Sequence, residues 1–299
     1  MKYTRKSHTK NEIKYRFFGK EGNNGCSYTW GLLMLNGLIG NGEIFGGRME
    51  SGFMGNGLVR NKPSANVFES IEYYIQDPYL NNVVLHLKGD GANNSTNIVD
   101  SSPTPKSITR FGDTKISTAQ SKYGGSSLYF DGNGDSLRLN SNVDFDFGSG
   151  NFTVEGWIYP LSFVGDIRAS IIEYSNGTAL NSNYSFLLRV TNTGQSLFRT
   201  IVGTTVYGDF AGTFSLNQWN YFAFVRNGVN CLVFINGILV FTFNMGSSSI
   251  NTPDNRVLEI GANQGLYYLN AYIDSLRITK GVARYTANFN PETDTYLAY

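Results

Sequence analysis

The stretch WNYFAFVRNGVNCLVFINGILVFTF, residues 219–243, holds two Asn-Gly dipeptides, Asn227-Gly228 and Asn236-Gly237, each between apolar runs. Both residue types tolerate the positive φ of a type I′ turn, so each dipeptide predicts a tight two-residue hairpin. Two such hairpins in succession predict a three-strand antiparallel meander. A meander is not stable alone and must be completed into a sheet with a covered face. The chain around it therefore has to supply more strands and a second layer.

From residue 81 onward it does. VVLHLK sets Leu85 and Leu87 against Val84, His86 and Lys88, and NFTVEGWIYP sets Phe152, Val154 and Ile158 against Trp157 and Tyr159. SSLYF, SLRL, YSFLLRV, SLFRTIV, TTVYGDF, VLEIGA and AYIDSLRIT read as further strands, and GVARY as a helical turn. Alternation of this kind is the period-2 signal of strands with one face on a core. The 34 glycines, 14% aromatic residues and only 16% charged residues suit an all-β protein with many turns. The expected fold is all-β, two stacked antiparallel sheets in a jelly-roll sandwich over residues 81–299.

Residues 1–80 follow a different pattern. The first twenty carry Lys2, Arg5, Lys6, Lys10, Lys14, Arg16 and Lys20 against Glu12 alone, while the whole chain sums to only +1. A basic arm on a slightly acidic body suits docking on an acidic surface. Next comes an irregular glycine-rich stretch, residues 22–65, with Trp30 and scattered Leu, Met and Phe. It is too flexible for a stable helix and too sparse for its own core. It reads as an attachment and oligomerisation region, with Lys2, Arg5, Lys6, Lys10, Lys14, Arg16 and Trp30 as attachment candidates. NVFESIEYYIQD, residues 66–77, predicts one short helix stopped by Asp77-Pro78. The basic start is not followed by an apolar signal core, and GLLMLNGLIG is too short to span a bilayer, so folding in a cytoplasm is expected. Cys26 and Cys231 read as free thiols, the second as a small buried apolar residue.

Four segments then carry a resemblance. KISTAQSKYGGSSLYFDGNGDSLRL, DFDFGSGNFTVEGWIYP, LNQWNYFAFVRNGVNCLVFINGILV and YIDSLRITKGVARYTANFNPET resemble, in order, signature segments of laminin-G-like, concanavalin A-like jelly-roll domains of the bacteriophage virion-protein type. The resemblance covers about residues 81–297 and stops short of the N-terminal region. It implies a non-catalytic virion structural protein, a capsid decoration or fibre component, displaying a lectin-like domain to host-surface glycans. Localisation would be the virion, assembled in host cytoplasm. Partners would be other virion proteins of capsid or tail, and further copies of the chain, a trimer foremost. The alternative is a bacterial cell-surface or secreted carbohydrate-binding protein.

The resemblance also implies where to look for sites. Some such domains hold calcium at a sandwich edge, for which Asp90, Asp100, Asp131, Asp135 and Asp274 are the acidic candidates, four of them (Asp90, Asp131, Asp135 and Asp274) foremost. The competing reading of Asp131-Gly-Asn-Gly-Asp135 is a plain turn, closed by carboxylates on backbone amides. Asp274 interrupts an apolar strand, and a buried carboxylate needs a turn amide or an arginine. Glycan contacts would come from Tyr174, Asn176, Asn183, Tyr184, Tyr207, Tyr267 and Tyr268, each of which can instead simply pack a sheet face. Hydrolases of this fold bring paired carboxylates on one strand, and no such triplet occurs: Glu155 stands alone. With two histidines, His8 and His86, a multi-histidine zinc site is excluded. No cofactor is required, no membrane segment is expected, and nothing favours nucleic acid.

Overall fold

The computed structural model describes residues 77–163, 168–176, 184–250, 255–263 and 265–293, with three short strands nearer the N-terminus. The chain divides into two units, Met1–Gln76 and Asp77–Tyr299. In the first, β1 (Ser27–Thr29), β2 (Glu43–Phe45) and β3 (Arg48–Met49) pair antiparallel in that order. The rest of that unit, including the basic residues, Trp30 and the helix expected over 66–77 up to residue 76, lies outside the described residues.

The second unit is a sandwich of two eight-stranded antiparallel sheets. Its strands are β4 (Val83–Leu87), β5 (Thr109–Phe111), β6 (Lys115–Ser117), β7 (Ser127–Asp131), β8 (Ser136–Leu139), β9 (Phe152–Pro160), β10 (Arg168–Ser175) and β11 (Tyr184–Thr191). They continue with β12 (Gln195–Val202), β13 (Thr205–Tyr207), β14 (Phe210–Thr213), β15 (Asn220–Asn227), β16 (Asn230–Ile235), β17 (Ile238–Asn244), β18 (Val257–Ile260) and β19 (Asn270–Lys280). One sheet runs β17-β16-β15-β9-β19-β7-β6, with β4 also on β19. The other runs β13-β12-β11-β10-β18-β8-β5, with β14 also on β12. Among the described residues there is no α-helix, and none long and apolar enough to cross a membrane.

The expected meander is β15-β16-β17, but its two turns differ. At the second, Ile235 faces Ile238 and the two central residues, Asn236 and Gly237, have φ of 51° and 77°, the type I′ pattern. At the first, Asn227 pairs with Asn230, so the central residues are Gly228 and Val229. Only Gly228 has positive φ there. The first turn therefore sits one residue beyond the expected Asn-Gly position and is not type I′, since Val229, now central, cannot cheaply enter the left-handed region.

The core between the sheets takes Phe152, Val154 and Ile158 from β9, Phe222 and Phe224 from β15, and Phe186, Leu188 and Val190 from β11. A second apolar cluster lies on the outer face of the β9 sheet: Trp157, Tyr221, Ala223, Val225, Leu232 and Phe234. Tyr285 and Phe289, stacked on one another at 3.7 Å, pack over it from the C-terminal segment. Both faces of β15 are thus buried, which is why NYFAFV reads as a continuous apolar run. Residues 281–285 are a bend at Gly281 followed by irregular backbone, not the helical turn expected of GVARY. Their amides are taken across the chain, Gly281 N–H by Asn151 O and Arg284 N–H by Thr153 Oγ1. Cys231 is buried as expected, its thiol pushed up to about 12 by burial. Cys26 lies outside the described residues.

Candidate functional site

The four leading metal candidates do not converge. Asp90 and Asp274 flank the loop before β7: Asp90 packs against Gly124, and Asp274 accepts from the amides of Lys122 (2.8 Å) and Tyr123 (3.0 Å). Asp131 ends β7 and Asp135 lies just past it, at the other end of a strand about 13 Å long at ~3.3 Å per residue. Burial pushes the Asp274 carboxyl up to about 7, against the pull of those two amides, and raises Asp90 as well. The turn-amide partner anticipated for Asp274 is the one it has. Asp100 is also taken, by the amides of His86, Ser102 and Lys106, each at 2.9 Å.

Asp131 and Asp135 are joined instead by Asp113, their carboxylate oxygens within 4.8 Å of one another. The fully buried Asp135 accepts from Asp113 N–H (2.7 Å) with one oxygen and from Asp131 N–H (3.0 Å) with the other. Asp131 accepts from Asn133 N–H at 2.7 Å. Gly112 allows this closure. A Cβ there would lie 2.3 Å from Asp135 Oδ1, and its φ is +64°. Burial, then the neighbouring carboxylates, raise Asp135 above its ordinary value despite those amides. Calcium needs six to eight hard oxygens. Three carboxylates offer six oxygens, both of Asp135's already accepting a backbone amide, an arrangement that also serves as a plain turn closure.

The glycan candidates separate by face. Tyr174 is fully buried, so its ring is no platform for a sugar; its hydroxyl donates to Asn142 O at 3.2 Å. Tyr207 belongs to the same cross-strand row, Tyr207–Thr200–Phe186–Tyr174–Leu258–Leu139, and packs against the core. The alternation that makes a strand amphipathic has turned both tyrosines inward. Asn183 lies outside the described residues, Tyr184 opens β11, and Asn176 is half-buried just after β10.

Tyr267 and Tyr268 are placed differently. They follow a tight turn closed by reciprocal backbone bonds of 2.8 and 2.9 Å between Asn263 and Leu266, with the closing Leu266 60% exposed. Tyr267 has φ of +56°, a strained value for an aromatic residue. Its carbonyl accepts from Ser170 N–H (2.8 Å) at the start of β10, and the Arg189 guanidinium lies 4.7 Å from its ring centroid. Three residues after Tyr267, Asn270 faces Asp131 across β19 and β7, so this turn and the acidic turn share one end of the sandwich.

Behind Tyr267, the outer face of the β10 sheet carries a row of charge that sequence reasoning missed. The register aligns Arg138, Glu259, Glu173, Leu187 and Arg199 across β8, β18, β10, β11 and β12. Arg189 grips Glu173 through Nε and Nη2 at 2.6–3.2 Å, and Arg138 Nη2 meets Glu259 at 3.1 Å. Burial raises Glu173 to about 6, Arg189 opposing and the facing Glu259 adding to the shift. The available signal was one charge inside each apolar strand: SLRL, IIEY, LLRV and VLEI.

A model of the laminin-G group of the concanavalin A-like lectin/glucanase superfamily matches residues 131–284, just over half of the chain. The chain belongs to this superfamily. Its match begins at Asp131 of the acidic turn and ends at Arg284, so the charged row and the Tyr267 turn both fall within the superfamily's span. The search of curated proteins found no match. Among solved structures, the receptor-binding domain of botulinum neurotoxin D is similar at 16% identity and TM-score 0.53, over 69% of this chain and 51% of that one. The binding domain of paraclostridial mosquitocidal protein 1 is similar at 14% identity and TM-score 0.50, over 73% and 52%. The chain thus spans about half the length of these structures, and at such identities the likeness shows the superfamily fold alone.

Proposed function

We propose that the chain is a non-catalytic phage virion structural protein whose lectin-like sandwich binds cell-surface glycans, anchored and trimerised through residues 1–80. The observation that carries the binding reading is the Asn263–Tyr268 turn, where exposed Leu266 and strained Tyr267 present an apolar and aromatic edge beside polar neighbours. Sugars stack their C–H faces on such edges. The virion reading rests on the resemblance of the four signature segments and on the basic arm of the first twenty residues. A non-catalytic role is supported by the buried carboxylates: Glu155, Glu173 and Glu259 are each held by arginine, whereas glycoside hydrolysis needs two free ones flanking the bond.

Full-length protein is expected to run as a trimer by light scattering and to retain members of an immobilised glycan panel. Tyr268→Ala is expected to lower that retention at least tenfold without changing the melting temperature. Retention unaffected by Tyr268→Ala would remove the turn from the site, and no retention at all would remove the lectin reading.

The acidic turn calls for no metal. Excess EDTA is expected to leave the melting temperature unchanged, because a ligand bound only to the native state would have stabilised it by mass action. A drop of several degrees, restored by calcium, would assign Asp113, Asp131 and Asp135 to a cation.

A further inference from the structure

Glu173, Arg189 and Tyr267 form one continuous physical chain from the sheet to the turn. Glu173 on β10 and Arg189 on β11 are 1% and 2% exposed and share a three-contact ion pair. The same guanidinium lies under the Tyr267 ring, and the Tyr267 carbonyl returns to β10 through Ser170 N–H. Tyr267 is therefore pinned twice, once by stacking and once by a backbone bond, in a conformation it would not adopt freely. We propose that the Glu173–Arg189 pair is a proton-operated clamp that positions the Tyr267 turn for its ligand and lets it relax as the solution becomes acidic. This rests on the lectin reading of that turn, whose regulation it describes.

Among the described residues, the charged groups around the clamp come from every neighbouring strand. Glu259 on β18 lies directly opposite Glu173 and is itself held by Arg138 on β8. Arg199 on β12 closes the row and sits 3.8 Å from Asp209. Two facing carboxylates with separate arginine partners cannot share charge freely, so the more desolvated of them takes up a proton first. Burial and Glu259 bring Glu173 to about 6. Protonation turns one accepting oxygen into a hydroxyl and removes the charge that holds the guanidinium fork. Arg189 then loses its fixed position under Tyr267, and the strained turn relaxes.

Glu173 and Arg189 are positioning residues, so the test reads geometry as well as binding. In the full-length protein, the exchange protection of Ser170 N–H, corrected for intrinsic pH dependence, is expected to fall at least tenfold between pH 7.5 and 5. The expected midpoint is near 6, with Phe224 in the other sheet still protected throughout. Glu173→Gln should show the low protection at both pH values, and retention on the glycan panel should follow the wild-type midpoint. If that variant does not fold, Arg189→Lys, which keeps charge but loses the fork, should already lower Ser170 protection at pH 7.5. Protection of Ser170 that ignores pH in the wild type, or a transition that survives Glu173→Gln, overturns the clamp. A Ser170 transition with no glycan retained at any pH supports the clamp and overturns the lectin reading; glycan retained without a transition does the reverse.

Discussion

Replacing Glu155 with alanine is expected to lower the unfolding free energy by about 3–5 kcal/mol, the usual cost of removing one partner from a buried ion pair. Glu155 is fully buried on the outer face of β9. It accepts from Arg277 Nε at 2.9 Å and from the hydroxyls of Tyr285, at 2.7 Å, and Tyr221. Arg284 Nε stands 3.4 Å away, and both arginines also reach Asp77, at 3.3 and 2.6 Å. The set is balanced: two carboxylates, two guanidiniums. Without Glu155 two buried guanidiniums share one carboxylate, and two tyrosine hydroxyls lose their acceptor. The segment carrying Arg284, Tyr285 and Phe289 would then hold the outer apolar cluster less firmly. Urea denaturation followed through Trp157, a member of that cluster, measures the loss. Glu292→Ala is the control, since its pair with Lys122 is at the surface with Glu292 57% exposed; a change within about 0.5 kcal/mol is expected there.

The acid limb gives the sign of the same effect. Burial alone would raise Glu155, but Arg277 and Arg284 bring it below its ordinary 4.5; Asp77 is likewise brought below 3.8, chiefly by Arg284. A depressed carboxylate binds fewer protons folded than unfolded, so its stabilisation is complete above the unfolded value and is lost as pH falls through the folded one. His86, buried and pushed down to about 3, acts in the same direction between 6.5 and 3. Glu173 and Asp274, both raised, act oppositely: the folded state gains from acidification between 4.5 and about 6 for Glu173 and between 3.8 and about 7 for Asp274. The Glu155→Ala curve should therefore parallel wild type above pH 5 and fall less steeply below 4.5. Equal slopes there would mean that Glu155 is not the group that titrates.

The sandwich was legible because its signals are local. Alternation in NFTVEGWIYP sorted Phe152, Val154 and Ile158 from Trp157 and Tyr159, and the two Asn-Gly dipeptides marked a meander that exists. What escaped depends on register between strands far apart in sequence. Glu155 read as a lone carboxylate because Arg277 is 122 residues away, on the neighbouring strand. Asp113 joined Asp131 and Asp135 only once β5, β6, β7 and β8 brought their turns to one end. The sequence leaves Tyr174 and Tyr207 open between surface rings and sheet packing because tyrosine suits either face, and only the cross-strand row shows that both point inward. Tyr267 was named from its residue type, while the features that single it out, a positive φ and an arginine beneath the ring, are properties of the folded backbone.

Arg226→Met is expected to cost about 1.5–3 kcal/mol, although methionine fills much of the same space, because four backbone carbonyls lose the one charged donor that they share. Arg226 ends the inward-facing row of β15 after Phe222 and Phe224, and it is fully buried. Its guanidinium donates to four backbone carbonyls: Gly228 (3.0 Å), Gly148 (2.9 Å), Gly246 (3.2 Å) and Ser248 (2.8 Å). Those carbonyls come from three loops, before β9, between β15 and β16, and after β17. The side chain thus does what a bound cation ringed by carbonyls does in other proteins, with the charge supplied by the chain itself. Burial lowers its pKa, which shows the strain of holding charge there, yet a guanidinium so far above neutrality stays protonated. Lysine in its place keeps the charge but cannot reach four carbonyls from one ammonium with the spread of a planar fork, so Arg226→Lys should recover only part of the loss. Urea midpoints for the two variants test this order. Both variants within 1 kcal/mol of wild type would show that the three loops hold one another through their own bonds, Ile250 N–H to Gly148 O and Met245 N–H to Val229 O, and that Arg226 only fills space.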